Sequence, residues 1–516
     1  MLKLSCKFVF TEVILMNLKK IFAVMLAMVM LATGTAVGAY AAGDVDYKIN
    51  NTYANVDWST TNQYKADLHC HSTVSDGDQT IRQQVERHYE LGFDIMALSD
   101  HGTVDYGWDK DTEAETIRVV LSIKEGNRPI DPLQASGTTD AGAAYTYADD
   151  FYKQYDENGN ALHTMMRVPY ANEQNPTSFN NAHVNTWFAD YGNDVVGGTS
   201  DYATPIRKID KLGGLSVINH PGEYSNARDE ECYEDAYDLD NIHYKYVINK
   251  FANLLLKYDS CIGIDINSKG DGRTRFDRKL WDILLQKVVP HGRNVFGIAT
   301  SDAHNPDIVN SGYTWMCMPE LTTDALRTCM EDGAFFSASY YMGSREEVKA
   351  WAAELAAAGI APEFAAKLQQ TYETIVEEEQ NGGQDTRFEF DQNAVVPKVT
   401  SVAVDDAEDT ITIGTKDAYL VHWIADGEFI ATGNTIDLDD YSDKIGSYVR
   451  AEVIGEGGVI YTQAFTLEYD GAPEAESEFF LDLGLPATLI CDTIVKVLAF
   501  VLKATGIIAL GNLFLD

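Results

Sequence analysis

The stretch Lys65-Ala-Asp-Leu-His-Cys-His-Ser-Thr-Val-Ser-Asp-Gly77 packs two histidines and two aspartates into thirteen residues. If residues 65–70 form a strand, side chains alternate across it. His69 and His71 then share one side, Cys70 takes the other, and two imidazoles converge on one point. The Ser75-Asp76-Gly77 turn can fold the Asp76 carboxylate back toward them. Taken alone, His-x-His reads equally as a metal pair or as two ordinary polar residues. Later runs add to it. Apolar segments close in Asp100 and His101, in Glu173, in His220, and in Asp302 and His304, and His183 lies between two of them. So many titratable groups at one mouth are unfavourable unless cations sit between them.

The elements that must deliver these groups are short apolar runs followed by helical stretches. Runs ending near residues 70, 100, 173, 220, 267 and 304 read as strands, each with its chemistry at the carboxyl end. Helical character appears at 80–91 (stopped by Gly92), 201–212, 244–256 and 275–288. Alternation of this kind predicts parallel βα units, and polar groups on nearly every strand end favour a barrel with its site at the carboxyl-terminal mouth. An open doubly wound sheet is the competing architecture; it would gather its site at one switch point. Residues 104–161, rich in Asp, Gly and Thr, read as an inserted lid or rim excursion.

Five segments follow along the 516 residues. Residues 1–42 are a leader with a basic start, an apolar run and an Ala-x-Ala-like end, a signal peptide whose true start is expected at Met16. Residues 43–345 form the barrel, and 346–385, rich in Ala and Glu, a helical spacer. Short alternating strands over 386–470 predict an immunoglobulin-like β-sandwich, with His422 as a structural residue. Residues 471–516 are an apolar tail. Lys496 and Lys503, seven apart, would fall on one helical face, so the tail predicts an amphipathic helix able to contact a membrane surface. The chain is therefore expected to be secreted or held at the cell surface. Its formal net charge of −40 argues against nonspecific contact with nucleic acid or anionic lipid. Seven cysteines without metal-finger or redox spacing read as buried thiols rather than a disulfide framework.

Asp67-Leu-His-Cys-His-Ser, Ser75-Asp-Gly, Ser99-Asp-His-Gly, Ile218-Asn-His-Pro-Gly and Ser301-Asp-Ala-His occur here in the order and surroundings found in one family. Over about residues 65–345 the chain resembles the PHP (polymerase and histidinol phosphatase) family of metal-dependent phosphoesterases. The resemblance implies a distorted (β/α)7 TIM-like barrel with two or three divalent ions. It implies one ion at His69, His71, Glu173 and Asp302, a second at Glu173, His183 and His220, and a third at Asp76, His101 and His304. Nitrogen and oxygen donors suit Zn, Mn or Fe. The implied reaction is hydrolysis of a phosphomonoester or small phosphodiester by a metal-bound hydroxide. Glu173, Asp302 and His304 would then be catalytic, and a small phosphorylated molecule the substrate. Arg273 and Arg275 are candidate phosphate contacts or a plain helix start, Arg167 is a weaker candidate, and Asp100 could orient His101. Two other readings remain open: an amidohydrolase-like attack on a C–N bond from the same type of site, and a cell-surface binding protein without catalysis.

Overall fold

The structure is a computed structural model; it describes residues 45–112, 114–174, 182–195, 201–230, 233, 235–342, 345–380, 388–391, 393–476, 480 and 485–506. The leader expected at 1–42, together with Cys6 and Cys232, lies outside the described residues. Two units are distinguished, residues 1–46 and 47–516; the second carries every element below.

Strand β1 (Lys48–Asn50) precedes β2 (Asn62–Cys70), which leads into helix α1 (Ile81–Glu90) and β3 (Ile95–Leu98). Thr80 caps α1 through a reciprocal bond pair with Gln83, a local signal that fixes where the helix begins. After helix α2 (Glu115–Glu125) come β4 (Ser136–Thr138), β5 (Ala144–Ala148), β6 (Phe151–Tyr155) and β7 (Ala161–Arg167). Strands β2, β3 and β7 pair in parallel, and β4 to β6 add antiparallel to the outer edge of β7. The stretch expected as a lid or rim excursion thus builds sheet.

The next strands form a second sheet: β8 (Asn172–Gln174), β9 (Val184–Trp187), β10 (Leu215–Ile218), β11 (Cys261–Asn267) and β12 (Phe296–Ala299). Helices α3 (Ala203–Leu212), α4 (Pro221–Ser225), α5 (Ile242–Lys257) and α6 (Asp277–Val288) lie between them in sequence. Pairs β10–β11 and β11–β12 are parallel, as the alternation predicts. By contrast β8–β9 and β9–β10 are antiparallel. Only nine residues separate β8 from β9, too few for a helical crossover, so the chain must reverse. Two isolated bridges, Cys70 to Ala303 and His101 to Glu173, stitch the strand ends of the two sheets together. The core beneath them includes Leu68, Ile95, Ala97, Trp187, Val217 and Ile298, all buried.

Beyond lie β13 (Gly312–Met318), α7 (Thr323–Asp332), β14 (Phe335–Ser339), β15 (Tyr341–Met342), α8 (Arg345–Ala358) and α9 (Pro362–Gln380). The remaining chain is β-rich, from β16 (Phe388–Glu389), β17 (Lys398–Asp405) and β18 (Thr410–Lys416) through β19 (Leu420–Ala425), β20 (Glu428–Thr432) and β21 (Thr435–Asp437) to β22 (Tyr448–Gly455), β23 (Gly458–Tyr461) and β24 (Phe465–Glu468). Strands β17, β18 and β21 form one antiparallel sheet. Strand β16 pairs with β15, but β19, β20, β22, β23 and β24 do not stand apart: β23 pairs with β14, which pairs with β13, which pairs with β2, so one hydrogen-bonded sheet runs from this region to the strand bearing His69. The fold is mixed α/β with an additional β-rich carboxyl-terminal region. His422 is buried on β19 and bonds Glu354 at 2.7 Å, a structural role as expected.

Helix α10 (Leu485–Ala504) exposes Ile490, Ile494, Val497, Leu498 and Phe500. No described helix is long and apolar enough to cross a membrane. Lys503 pairs with Asp194 at 2.5 Å, while the side chains of Lys496 and Cys491 lie outside the described residues. Cys70, Cys261, Cys317 and Cys329 are buried free thiols.

Candidate metal centre

Backbone hydrogen bonds between strand ends gather the functional side chains. Asp302 N–H donates to the carbonyl of His69 at 2.8 Å and His71 N–H to that of Ala303 at 3.0 Å. Glu173 N–H donates to Ser99, Gly102 N–H to Glu173, and Asn219 N–H to His183. Each ligand-type residue is thus registered against another strand's end. Two of them, Asp302 (φ 45°) and His220 (φ 23°), adopt positive φ, strain of a kind that concentrates at functional positions. Gly77 folds so closely onto His71 that a side chain there would collide with the His71 carbonyl; this lets the turn return Asp76 to the site.

All nine residues expected as ligands come together. Glu173 is the hub: Oε1 lies 2.9 Å from His183 Nδ1 and 3.1 Å from His220 Nε2, while Oε2 lies 3.0 Å from His101 Nδ1, 3.3 Å from His71 Nε2 and 3.4 Å from His69 Nε2. Asp302 is a second centre, with Oδ1 3.1 Å from His71 Nε2 and 3.4 Å from both His69 Nε2 and His304 Nδ1, and Oδ2 3.5 Å from His220 Nε2. Asp76 Oδ1 approaches His304 Nε2 at 3.3 Å and His101 Nε2 at 3.6 Å. Groups able to hold an ion are His69, His71 and Glu173; His69, His220 and Asp302; His101, Glu173 and His183; and His71, Asp76, His101 and His304, with donor atoms in each group within 4.8 Å of one another. The third set implied by the family resemblance reappears with His71 added, and His220 falls with His69 and Asp302 as well as beside Glu173.

Electrostatics favours a cation here. Burial alone would push Glu173 and Asp302 upward, yet the surrounding histidines, with Lys269 for Asp302, hold both carboxyls well below the usual range. Burial lowers His101 to about 3, despite Asp76 and Glu173 beside it. His69 Nε2 and His71 Nε2 face each other at 3.1 Å; burial opposes protonation of both rings, yet Asp302 and Glu173 raise them above the ordinary histidine range, so two like charges would meet there. His101 Nδ1 and both Asp302 oxygens are buried without a well-formed hydrogen bond despite their short approaches. A divalent ion among such donors resolves each conflict, so the residues fit the group.

Outer contacts set the orientation. Asp67, fully buried, accepts from His88 Nε2 at 3.0 Å, from the Ser301 hydroxyl and from the backbone N–H groups of His69 and Ser301, which ties β2 to the Asp302 turn. Asp67, Cys70 and His88 also lie close enough to be considered for an ion, but these bonds already use the carboxylate. Asp100, expected to orient His101, instead accepts from Ser72 N, Ser72 Oγ, Ser75 N and Ser75 Oγ at 2.6–3.1 Å, clamping the turn between His71 and Asp76.

Arg167 is tied to Asp150 and the Asp105 carbonyl, away from the ligands. Arg275 stacks on Phe276 at 4.4 Å and donates to the carbonyls of Arg228 and Glu230, so of the two arginines expected at phosphate only Arg273 reaches the rim, bonding Glu223. Three residues escaped the sequence reading. Lys269 Nζ lies 2.9 Å from Asp302 Oδ2, Glu223 Oε2 lies 3.4 Å from His220 Nδ1, and Tyr224 OH lies 3.0 Å from His183 Nε2. The strand-end rule, carried two residues past Asn267 and four past His220, would have reached them.

Residues 67–257 match the family model described as the PHP domain. A 40-residue stretch is 50% identical to a 5'-3' exoribonuclease of Haemophilus influenzae, covering 8% of this chain and only 15% of that protein. A two-domain protein from Bacteroides vulgatus, described as containing a predicted PHP-like metal-dependent phosphoesterase, is 14% identical with a TM-score of 0.34, over 83% of this chain and all of that one. The lesion-specific endonuclease EndoQ of Pyrococcus furiosus is 11% identical with a TM-score of 0.27, over 52% of this chain and 56% of that one.

Proposed function

We propose that this chain, whose residues 67–257 match the PHP-domain model, is a metal-dependent phosphoesterase hydrolysing a phosphomonoester or a small phosphodiester. The observation that carries this reading is the convergence of six histidines on Glu173, Asp302 and Asp76 at the joined strand ends. His69, His71, Asp76, His101, Glu173, His183, His220, Asp302 and His304 would hold two or three ions of Zn, Mn or Fe. Such ions, when bound, supply Lewis-acid activation of water and neutralise phosphoryl oxygens.

The chain's own groups do the rest. Glu173 and Asp302, kept ionised by their neighbours, fix the shared centre. Lys269, held on Asp302, places a cation where phosphoryl oxygens would gather. His304, 25% exposed and the most open of the six cluster histidines, holds Nδ1 against the Asp302 carbonyl at 3.0 Å and so keeps Nε2 turned toward Asp76 and the ion the two would hold. Tyr224 orients His183 through its hydroxyl.

The wider organisation is proposed on the same footing. The two bridges that join the sheets support a distorted (β/α)7 barrel. The separate antiparallel sheet of β17, β18 and β21, beside the antiparallel strands β19, β20, β22, β23 and β24, supports an immunoglobulin-like sandwich. The apolar run before residue 42 supports export, and the exposed apolar side of α10 supports contact with a membrane surface. The deciding experiment loads the full chain with Mn, Fe or Zn and assays a panel of phosphate mono- and diesters beside simple amides. Turnover of esters alone is expected. Bound metal with no ester hydrolysed in any loading would overturn the reading.

A further inference from the structure

Glu223, on the short helix after His220, is a nearly buried carboxylate shared by three cations. Arg273 Nη1 bonds its Oε1, Arg228 Nη1 lies 3.3 Å from the same oxygen, and Lys269 Nζ lies 3.7 Å from Oε2. His220 Nδ1, from the ligand cluster, also faces Oε2 at 3.4 Å. The carboxylate therefore has an inner side, toward His220 and Lys269, and an outer side that carries both guanidinium groups. Glu223 is 8% exposed, whereas Arg228 and Arg273 are 35% and 43% exposed. Lys269 is also held on Asp302 at 2.9 Å, so it belongs to the inner side. The other acid near Arg228, Asp229 at 3.3 Å, is itself 68% exposed and well solvated. On the outer side two partly exposed guanidiniums share one nearly buried carboxylate, and at the mouth of a phosphoester site such a pair is where an anion would be drawn in.

The loop that presents two of these cations is built under strain. Lys269, Gly270 and Asp271 take φ values of 49°, 61° and 63° in succession, two of them at residues that carry side chains. The fully buried Asp271 pins the loop through Arg278, at 2.9 and 3.0 Å, and through Thr274. So much fixation of this loop fits a task that needs Lys269 and Arg273 at set positions.

We propose that Arg228 and Arg273 form a subsite for a second anionic group of the substrate, one position farther out than the scissile phosphate. The substrate class is then an organic phosphate bearing another phosphate, phosphonate or carboxylate a few bonds from the ester. Paired guanidiniums suit this because they offer planar, two-pronged donors to a tetrahedral or planar oxyanion. Glu223 keeps them aligned and separates them from Lys269, which serves the reacting phosphate.

This assignment rests on the phosphoesterase reading, and the test separates the two. Metal-loaded full-length protein is assayed with butyl phosphate, 4-phosphonobutyl phosphate and 4-carboxybutyl phosphate. The phosphonate-bearing ester is expected to show a kcat/KM about tenfold above butyl phosphate, through KM, as one charge-assisted contact provides. Arg228→Gln with Arg273→Gln should erase that advantage; Arg273→Gln alone, at the more exposed of the two positions, should erase part of it and covers the case in which the double variant folds poorly. The carboxylate ester tells whether the subsite takes either oxyanion or phosphonate only. Equal kcat/KM for butyl and 4-phosphonobutyl phosphate, or an advantage that survives both substitutions, overturns the subsite. If no ester is hydrolysed, calorimetric titration decides: tighter binding of butane-1,4-diphosphonate than of butylphosphonate, lost in the double variant, supports the subsite while the esterase reading fails, and equal binding overturns it.

Discussion

Arg450 on β22 and Asp282 on α6 meet face to face in the interior, both 3% exposed, with guanidinium nitrogens 2.8 Å from each carboxylate oxygen. Tyr448 donates to the same carboxylate at 2.7 Å, and Glu452 takes another Arg450 N–H at 2.7 Å. The metal-centre cluster is largely buried too, yet part of it is left unsatisfied: His69 Nε2 faces His71 Nε2 at 3.1 Å, and both Asp302 oxygens and His101 Nδ1 lack a well-formed hydrogen bond. Burying charge is costly in both places. In one, matched donors and acceptors compensate from within the chain; in the other, compensation must come from bound cations. A structural charge cluster closes on itself, and a functional one leaves a place for something else.

The comparison breaks first at the metal centre. His69→Ala with His71→Ala should strip the metal, measured by elemental analysis, and lower ester hydrolysis by about a thousandfold or more, while far-ultraviolet circular dichroism stays native. Retained turnover would show that the cluster is not the site. Arg450→Ala should instead lower unfolding free energy by about 3–5 kcal/mol in urea titrations, since it strands Asp282 in the interior; metal content per folded molecule should not change. If it did change, the two clusters would be one coupled network.

Removing the metal with a chelator should lower stability by about 2–4 kcal/mol, the mass-action support of a tightly bound ligand, with an equal loss in the Arg450→Ala background. Asp100→Asn weakens the clamp on Ser72 and Ser75 and should reduce metal affinity about 10- to 100-fold by competition titration. The smallest effect concerns Lys65, near the start of the strand that carries His69. Burial between Phe93 and Tyr313 pushes its amine down to about 7, against the pull of Asp67 and Asp94. Between that value and the ordinary lysine range the unfolded chain holds a proton that the native chain releases, so raising the pH favours the native state. Stability should rise by about 1–2 kcal/mol from pH 7 to about pH 8.5, and Lys65→Met should flatten that rise.

Much of the centre was legible because its residues obey local rules. His69 and His71 share a side through the two-residue period of a strand, and Asp100, His101, Asp302 and His304 follow apolar runs. What stayed hidden depends on where the chain goes next. Asp100 was expected at His101 but turns to Ser72 and Ser75. Arg275 was expected at phosphate but packs on Phe276 and two carbonyls. Glu223 and Lys269 sit in a short helix and a left-handed loop that no periodicity marks. The β-rich region was readable as strands, but not its pairing of β23 to β14, since strand partners are chosen across long sequence distances.

By itself the sequence determined which chemistry was available: imidazoles and carboxylates in strand-end positions, each set by the alternation of a few neighbouring residues. The tertiary structure alone decided that they meet in one cluster, which oxygens of Glu173 and Asp302 each ring addresses, and that three cations surround Glu223. Those facts depend on distances between residues far apart in the chain, and only the pairing of strand ends and the packing of strained loops fixes such distances.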